Sequence, residues 1–276
     1  MNLQILEKIG EGSYGIVYKG IYNGGACAIK EINHELYTNR NTYWNNECII
    51  LDNLSIESKK YTVRKLFAYS MDKRFYIVFE HINGPCSDYV IRHNSVKTRN
   101  KFEYANDLIR GLGYIHSSNI YHLDIKDSNI MYDYVYFRYI DFGVSVLKSQ
   151  IEYDDIYHGA PYTHPPNTDK KEKISSEIMK ACDYWSLGIA LLRWYGMEYN
   201  KNFYTTLAYA FGQDDIENIK EDPKYPIYSE LSRDFLEYLI ELIENVKIRE
   251  IIGLLLTVNP YERCEKFIKI FELLRN

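Results

Sequence analysis

The sequence predicts an α+β fold of two lobes, in which a small antiparallel sheet with one helix precedes a larger, mainly helical lobe. Short apolar segments rich in Val, Ile, Tyr and Phe fill residues 1–82 and are typical of strands. After Asn83-Gly84-Pro85 the apolar residues instead recur at helical spacing. We therefore expect a single domain over residues 1–276, with lobes at 1–82 and 83–276 and a hinge near Asn83–Pro85.

The elements of the smaller lobe are predicted one by one from these segments. Five segments are predicted as strands: Leu3–Ile9, Gly15–Tyr22, Ala26–Ile32, Arg64–Ser70 and Phe75–Phe79. The Gly24-Gly25 pair predicts a tight hairpin between the second and third strands, because glycine adopts the positive φ that such a turn requires. The segment Asn41–Leu54 is predicted as a helix.

The larger lobe is predicted from helical periodicity. Apolar residues recur three or four positions apart in three stretches: Phe102, Ala105, Leu108, Leu112 and Ile115; Trp185, Ile189 and Leu192; Leu236, Leu239, Ile240 and Ile243. A helix with such a stripe buries it against its neighbours. These stretches therefore predict the helices around which the larger core forms.

Composition and charge argue against several classes of function. The net charge is −5 and no basic block is present, so the sequence predicts no nucleic-acid partner. No apolar run reaches the ~18 residues of a membrane-spanning helix, so no membrane partner is expected. The five cysteines lie far apart, which predicts free thiols in a reducing compartment. We therefore expect a cytoplasmic protein, in the host cytoplasm if the source is viral.

A glycine-rich segment follows the first predicted strand. Gly10, Gly12 and Gly15 match the pattern G-x-G-x-x-G, whose missing side chains allow backbone N–H groups to approach phosphate oxygens. A dinucleotide-binding turn has the same glycines but leads directly into a helix, whereas Ile16-Val17-Tyr18 continues as a strand. A glycine-rich hairpin that binds no ligand remains the alternative for this segment alone.

A lysine and a glutamate downstream favour the phosphate interpretation. Lys30 ends Ala28-Ile29-Lys30 on the third predicted strand, and a lysine aimed at a phosphate cleft needs an acid to hold it. Glu47 on the predicted helix can provide that acid, and a partly buried pair of this kind is costly to break. Taken singly, a solvated lysine on a strand edge and a surface glutamate are the common alternatives.

Four polar residues in the larger lobe have the properties that phosphoryl transfer requires. Asp124, Lys126 and Asn129 lie within the segment His122–Asn129, and Asp141 begins Asp-Phe-Gly 12 residues after Asn129. The oxygens of Asp141 and Asn129 are hard ligands suited to Mg²⁺. Asp124 can accept the hydrogen bond of a substrate hydroxyl, and Lys126 can neutralise the transferring phosphate.

In order and spacing, these motifs resemble those of the eukaryotic-type protein kinase family, from about Ile5 to Arg263. The resemblance implies a bilobal protein kinase fold, ATP with Mg²⁺ (Mn²⁺ being an alternative ion), a protein substrate, and a catalytic loop at His122–Asn129. Serine/threonine kinases usually keep a lysine at the position of Lys126, so serine or threonine hydroxyls are the implied acceptors.

The resemblance also implies roles for single residues. Asp183, in the segment Asp183–Gly188, would anchor the backbone of the catalytic loop. Phe79 would be the gatekeeper, followed by Glu80–Ile82, which would pair with adenine. The residues implied in binding ATP are Ile9, Gly10, Gly12, Gly15, Val17, Ala28, Lys30, Phe79, Glu80, Ile82 and Met131. The implied catalytic residues are Lys30, Glu47, Asp124 and Lys126, and the implied metal ligands are Asn129 and Asp141.

Three positions depart from the family's pattern. Leu123 replaces an arginine that in many members binds a phosphate on the activation segment, the stretch after Asp-Phe-Gly, so we expect activity that does not depend on phosphorylation there. Ala160 lacks a hydroxyl that usually bonds to the catalytic aspartate and lysine. Asn167 lacks a charge that usually pairs with the arginine matched by Arg263. The candidate phosphorylation sites of this segment are Ser149, Tyr153, Tyr157 and Thr163.

Two alternatives to an active protein kinase remain. The departures at Leu123, Ala160 and Asn167 motivate a pseudokinase, which would act as a nucleotide-binding or scaffolding module. A kinase of small molecules on a related fold is the other, and Lys126 and the proline-rich segment 161–166 argue against it. We further expect a monomer whose one domain fills the chain.

Overall fold

The structure, a computed structural model, describes residues 2–12, 15–32, 40–72, 74–87, 89–90, 103–151, 165–166, 175–199 and 232–275. Within these ranges, nine strands form one five-stranded antiparallel sheet and two short two-stranded sheets, and six α-helices accompany them. One helix follows the third strand of the large sheet, and the other five lie in the second part of the chain. The predicted α+β fold is confirmed.

The elements have the following bounds. The strands are β1 (Leu3–Gly12), β2 (Gly15–Tyr22), β3 (Gly25–Ile32), β4 (Lys65–Met71), β5 (Arg74–Glu80), β6 (Ile120–Tyr121), β7 (Ile130–Tyr132), β8 (Phe137–Tyr139) and β9 (Val146–Leu147). The helices are α1 (Arg40–Asn53), α2 (Glu103–Ser117), α3 (Ser176–Tyr199), α4 (Arg233–Glu241), α5 (Val246–Leu255) and α6 (Pro260–Arg275). Short 3₁₀ helices occupy Ser58–Lys60, Asp127–Asn129 and Lys148–Gln150.

The large sheet has the strand order β1-β2-β3-β5-β4, and its neighbouring strands are antiparallel. In β3, Lys30 lies opposite Val17 of β2 and Ile77 of β5. Because alternate residues of a strand share one face, Lys30 and Ala28 lie on the same side of the sheet. The third strand therefore places a lysine at the centre of the sheet, next to apolar neighbours.

The β1–β2 hairpin is longer than predicted. Beyond the predicted end at Ile9, and after a register shift between Lys8 and Gly10, three further residues of β1 pair with β2: Gly10 with Val17, Glu11 with Ile16 and Gly12 with Gly15. At Gly15, φ is 154°, and a Cβ would lie 2.1 Å from the carbonyl oxygen of Glu31 on β3. A residue other than glycine at this position would therefore force β2 and β3 apart.

The central element of the larger lobe is α3, which is buried over residues 181–192. A helix that is apolar on every side is the core of its domain. It packs against α2, α4, α5 and α6, and Trp185 in its middle is 1% exposed. The periodicity at Trp185, Ile189 and Leu192 thus correctly predicted a helix.

Arg263 of α6 is buried beside α3, with 1% of its surface exposed. Its guanidinium donates to the carbonyl oxygens of Thr257 (2.7 Å), Ala181 (2.6 Å) and Val258 (3.0 Å), and it lies over the ring of Trp185. Burial lowers its pKa to about 10. In the described part of the chain, backbone carbonyls therefore satisfy this arginine without a carboxylate.

Two predictions drawn from composition can be compared with the structure. All five cysteines are free thiols, as their spacing predicted. Among the described helices, none combines the length and the apolar character that crossing a bilayer would demand.

Candidate active site

A cleft of about 190 Å³ lies between the large sheet and the segment that contains β7 and Asp141. Eleven of the predicted site residues line it: Ile9, Val17, Ala28, Lys30, Glu47, Phe79, Glu80, Ile82, Asn129, Met131 and Asp141. Its lining combines apolar side chains with the charged groups of Lys30, Glu47, Glu80 and Asp141. A cleft with apolar walls and a few charged groups suits a ligand that has an apolar ring and polar groups.

Some lining residues were missed from the sequence, and five predicted ones do not line the cleft: Gly10, Gly12, Gly15, Asp124 and Lys126. Val63 and Ile140 also line the cleft, as does His81 within the predicted segment Glu80–Ile82. Ile140 directly precedes Asp141, which could have indicated it, whereas Val63 lies in irregular chain before β4 and has no pattern. The glycines of the β1–β2 hairpin do not line the cleft, so their contact with phosphate stays a prediction: Gly10, Gly12 and Gly15.

The charged centre of the cleft is Lys30, which is 6% exposed. Its Nζ donates to Oε1 and Oε2 of Glu47 at 3.0 and 2.8 Å and to Oδ1 of Asp141 at 2.7 Å. Burial alone would lower the pKa of Lys30, but the carboxylates of Asp141 and Glu47 outweigh it and raise that pKa. Lys30 is therefore fully protonated at neutral pH and holds β3, α1 and the Asp-Phe-Gly segment together.

Asp141 is the more exposed of the two carboxylates that contact Lys30, with 27% of its side chain exposed against 3% for Glu47. Burial opposes its ionisation, but Lys30 outweighs burial and lowers the pKa of the Asp141 carboxyl. Its backbone has φ 62°, the left-handed region that few residues other than glycine adopt. A strained backbone at a charged cleft residue is typical of functional sites.

The second charged group surrounds Asp124, which is 3% exposed. Its Oδ2 accepts hydrogen bonds from Nζ of Lys126 (2.9 Å) and Nδ2 of Asn129 (2.8 Å). Within the described ranges both donors contact Oδ2, and Oδ1 could accept a further hydrogen bond. Burial raises the pKa of Asp124 despite the nearby lysine, so this carboxylate is a better proton acceptor than an exposed aspartate.

Asp183, at the buried part of α3, fixes the backbone of the catalytic loop. Its two carboxylate oxygens accept the N–H groups of His122 (2.8 Å) and Leu123 (2.7 Å), and Oδ2 also lies 2.8 Å from Nε2 of His116. These bonds hold Leu123 in the left-handed region, with φ 62°. The geometry agrees with the anchoring role that the resemblance implied.

Leu123 is buried, a feature that its sequence context did not indicate. It is 4% exposed and packs with Tyr121, Met179 and Cys182, and Val146 and Ile151 lie against the same cluster. An arginine at this position would have to place its charge among apolar groups or leave the cluster. The leucine therefore joins the catalytic loop to α3 and to the start of the activation segment by apolar packing.

The oxygens of Asn129 and Asp141 fit a divalent metal that phosphates also bind. Nδ2 of Asn129 donates to the carbonyl oxygen of Asp124 at 2.9 Å as well as to its carboxylate, which orients the amide and leaves Oδ1 as its ligand atom. Among the described residues no cluster of three or more His, Cys, Asp or Glu could hold a metal alone. Mg²⁺ usually takes one or two protein oxygens and completes its shell with phosphate and water, which suits this pair.

Several predicted positions lie outside the described residues. Ala160 and Asn167, the two departures in the activation segment, are among them, as are the candidate phosphorylation sites Tyr153, Tyr157 and Thr163. Ser149 is described and belongs to the 3₁₀ helix Lys148–Gln150.

The chain is similar to known protein kinases, in agreement with the arrangement of these residues. The family model described as "Protein kinase domain" matches residues 3–270. Probable serine/threonine-protein kinase fhkB of Dictyostelium discoideum is 30% identical over 195 residues, 67% of this chain. Serine/threonine-protein kinase TIO of Arabidopsis thaliana is 28% identical over 252 residues, 87% of this chain. The matched part spans 17% of the length of each of these two curated relatives.

Proposed function

The chain belongs to the protein kinase family, and we propose that it transfers the γ-phosphoryl group of ATP to serine or threonine hydroxyls of a protein. One observation carries the proposal. The two charged groups that phosphoryl transfer requires, Lys30 with Glu47 and Asp124 with Lys126, are both assembled with hydrogen-bond distances of 3.0 Å or less. Because the matched relatives are much longer than this chain, the proposal includes no activity of the parts of those relatives that the chain does not match.

Each residue has a distinct task in the proposed reaction. Lys30 holds the phosphates of ATP, and Asp124 accepts the proton as the substrate oxygen forms its bond to phosphorus and the bond from phosphorus to the departing ADP oxygen breaks. Lys126 neutralises charge on the transferring group. Mg²⁺ or Mn²⁺, held through Asn129 and Asp141, would supply further neutralisation of the phosphate charge.

Two observations favour serine and threonine as acceptors. Lys126 stands at the position where serine/threonine kinases usually have a lysine, and its Nζ bonds to Asp124 at 2.9 Å. The relatives named above carry serine/threonine-protein kinase in their names. Transfer of phosphate to a protein would distinguish this proposal from a kinase of small molecules. Any measurable transfer would distinguish it from a pseudokinase.

The test is transfer of labelled phosphate from ATP, with Mg²⁺ or Mn²⁺, to the protein itself and to a generic basic protein. We expect label on serine or threonine, and none with the Asp141→Asn variant, which keeps the side-chain volume but removes the charge that faces Lys30. A parent that transfers nothing, while ATP still raises its melting temperature, would contradict the proposal and favour a pseudokinase. Label that appears on a small-molecule acceptor and on no protein would favour the other alternative.

We further propose that the active arrangement does not need a phosphate on the activation segment. The apolar cluster around Leu123 occupies the place of a phosphate-binding arginine. Asn46, next to Glu47 on α1, donates from Nδ2 to the carbonyl oxygen of Ser145 (2.9 Å) and accepts from Nε2 of Gln150 (3.0 Å) at Oδ1. These neutral contacts join α1 to the start of the activation segment while Glu47 contacts Lys30.

Phosphatase treatment is therefore expected to change the turnover number by less than about twofold. The measurement compares a sample freed of phosphate, as verified by intact mass, with one incubated with heat-inactivated phosphatase. A tenfold loss, about 1.4 kcal/mol in barrier, would mean that another basic residue binds a phosphate. The Asn46→Ala variant should lower the turnover number of both samples equally, because its contacts involve no phosphate.

A further inference from the structure

Asp127 of the catalytic loop forms a buried ion pair that the proposed chemistry does not use. Its Oδ2 lies 2.5 Å from Nη1 of Arg193 on α3, and the two side chains are 1% and 16% exposed. Asp127 does not line the cleft, although it lies in sequence between Lys126, which contacts Asp124, and Asn129, which lines the cleft. The pair therefore connects the loop to the central helix outside the cleft.

Two further contacts surround Asp127. Ser87, in the segment that follows the hinge, donates from Oγ to the carbonyl oxygen of Asp127 at 2.8 Å. The hydroxyl of Tyr104 on α2 lies 3.5 Å from Oδ1 of Asp127 and 3.3 Å from Oγ of Ser87. Burial raises the pKa of Tyr104 well above its ordinary value, so its hydroxyl remains a donor. Asp127 thus joins α2, α3 and the segment after the hinge.

The position of Asp127 affects two side chains near it in sequence, those of Lys126 and Asn129. The 3₁₀ helix Asp127–Asn129 begins with it, and the N–H of Asn129 donates to the carbonyl oxygen of Lys126 at 2.9 Å. The side chains of Lys126 and Asn129 both donate to Oδ2 of Asp124. A shift of Asp127 would therefore move both donors of Asp124 and the proposed metal ligand Asn129 together.

We propose that the Asp127–Arg193 pair is a positioning device for the catalytic loop, which sets Asn129 for the metal and Lys126 for the phosphate. This inference rests on the proposed function. A buried ion pair is weak evidence for stability, since apolar residues of similar volume often serve as well. What the ion pair fixes instead is the position of the loop relative to α3. Two residues of α3 then hold the loop at two points: Asp183 binds His122 and Leu123, and Arg193 binds Asp127.

The test uses the single variants Asp127→Asn and Arg193→Met and the double variant that combines them. Two quantities are measured: the Mg²⁺ concentration that gives half-maximal activity, and the Mg²⁺-dependent part of the rise in melting temperature caused by a non-hydrolysable ATP analogue. We expect each single variant to raise the half-maximal Mg²⁺ concentration at least fivefold and to lower the Mg²⁺-dependent rise. The double variant should resemble the single ones, because neither residue acts without the other.

Controls separate positioning from stability. Glu237→Gln breaks the exposed Arg233–Glu237 pair (79% and 58% exposed) and should leave both quantities unchanged. If Asp127→Asn does not fold, Arg193→Lys, which keeps the charge but changes the geometry, replaces it and should show the same direction. Variants with a lower melting temperature but an unchanged Mg²⁺ requirement would overturn the inference.

The binding measurement also separates failure of this inference from failure of the proposed function. A parent that transfers no phosphate but shows a Mg²⁺-dependent rise, lost in the variants, would contradict the enzyme and retain the positioning role. A parent without any Mg²⁺-dependent rise would overturn the positioning role as well.

Discussion

Replacing Asp124 by asparagine is expected to lower the turnover number about 10²- to 10⁴-fold, the usual contribution of a positioned general base. Asparagine has nearly the same shape and can still accept from Lys126 and Asn129, but it cannot accept the proton of a substrate hydroxyl. Because Asp124 is 3% exposed and its contacts are internal, we expect its role in ATP binding to be small.

The measurement is single-turnover transfer of labelled phosphate, with ATP binding followed in parallel by the shift in melting temperature. Burial raises the pKa of Asp124, so the activity of the parent should fall as the pH falls through that pKa and the carboxylate becomes protonated. This acidic limb should be missing from the residual activity of Asp124→Asn. A variant that transfers phosphate within threefold of the parent would exclude Asp124 as the proton acceptor.

Replacing Lys30 by methionine is expected to lower the free energy of unfolding by about 3–5 kcal/mol and to abolish the ATP-induced rise in melting temperature. The reason is that the substitution leaves the buried carboxylate of Glu47 and the partly exposed carboxylate of Asp141 without their cation. The loss should be smaller at acidic pH, where these carboxylates are protonated, and should grow as the pH rises and they ionise.

A matched control is Lys65→Met on β4, whose partner Asp52 is 65% exposed. Here the expected change is about 0–1 kcal/mol, as for other pairs that water screens, and ATP binding should persist. Denaturant unfolding at several pH values measures both variants. Equal losses in Lys30→Met and Lys65→Met, independent of pH, would show that the buried group around Lys30 has no special strength.

The sheet and the charged site could be predicted because their signals are local. The segment that contains Lys30 has the composition of a strand, and the glycines before it are followed by a strand. Of the polar residues predicted in His122–Asn129 and Asp141-Phe142-Gly143, Asn129 and Asp141 line the cleft that contains Lys30. The roles of these residues in catalysis and in binding stay predictions until they are measured.

The features that were missed depend on contacts between distant segments. The burial of Leu123 needs Met179 and Cys182 of α3, and a single leucine in a loop has no periodicity that would indicate its surroundings. The pair of Asp127 with Arg193 was missed for the same reason, because it joins a loop to a helix that is distant in sequence. The resemblance implied that an acid usually pairs with the arginine matched by Arg263, whereas the described partners of Arg263 are backbone carbonyls, which no side-chain pattern encodes.

The bonds from Asp183 to the N–H groups of His122 and Leu123 bear on how this loop exchanges its amide hydrogens with solvent. Loops usually open locally at little cost, so their amides exchange early. Here both amides are held by a carboxylate of α3, and Asp183 and its neighbours in this helix are buried. We therefore expect these two amides to exchange more slowly than loop amides that face solvent, because exchange requires an opening that breaks their bonds to Asp183.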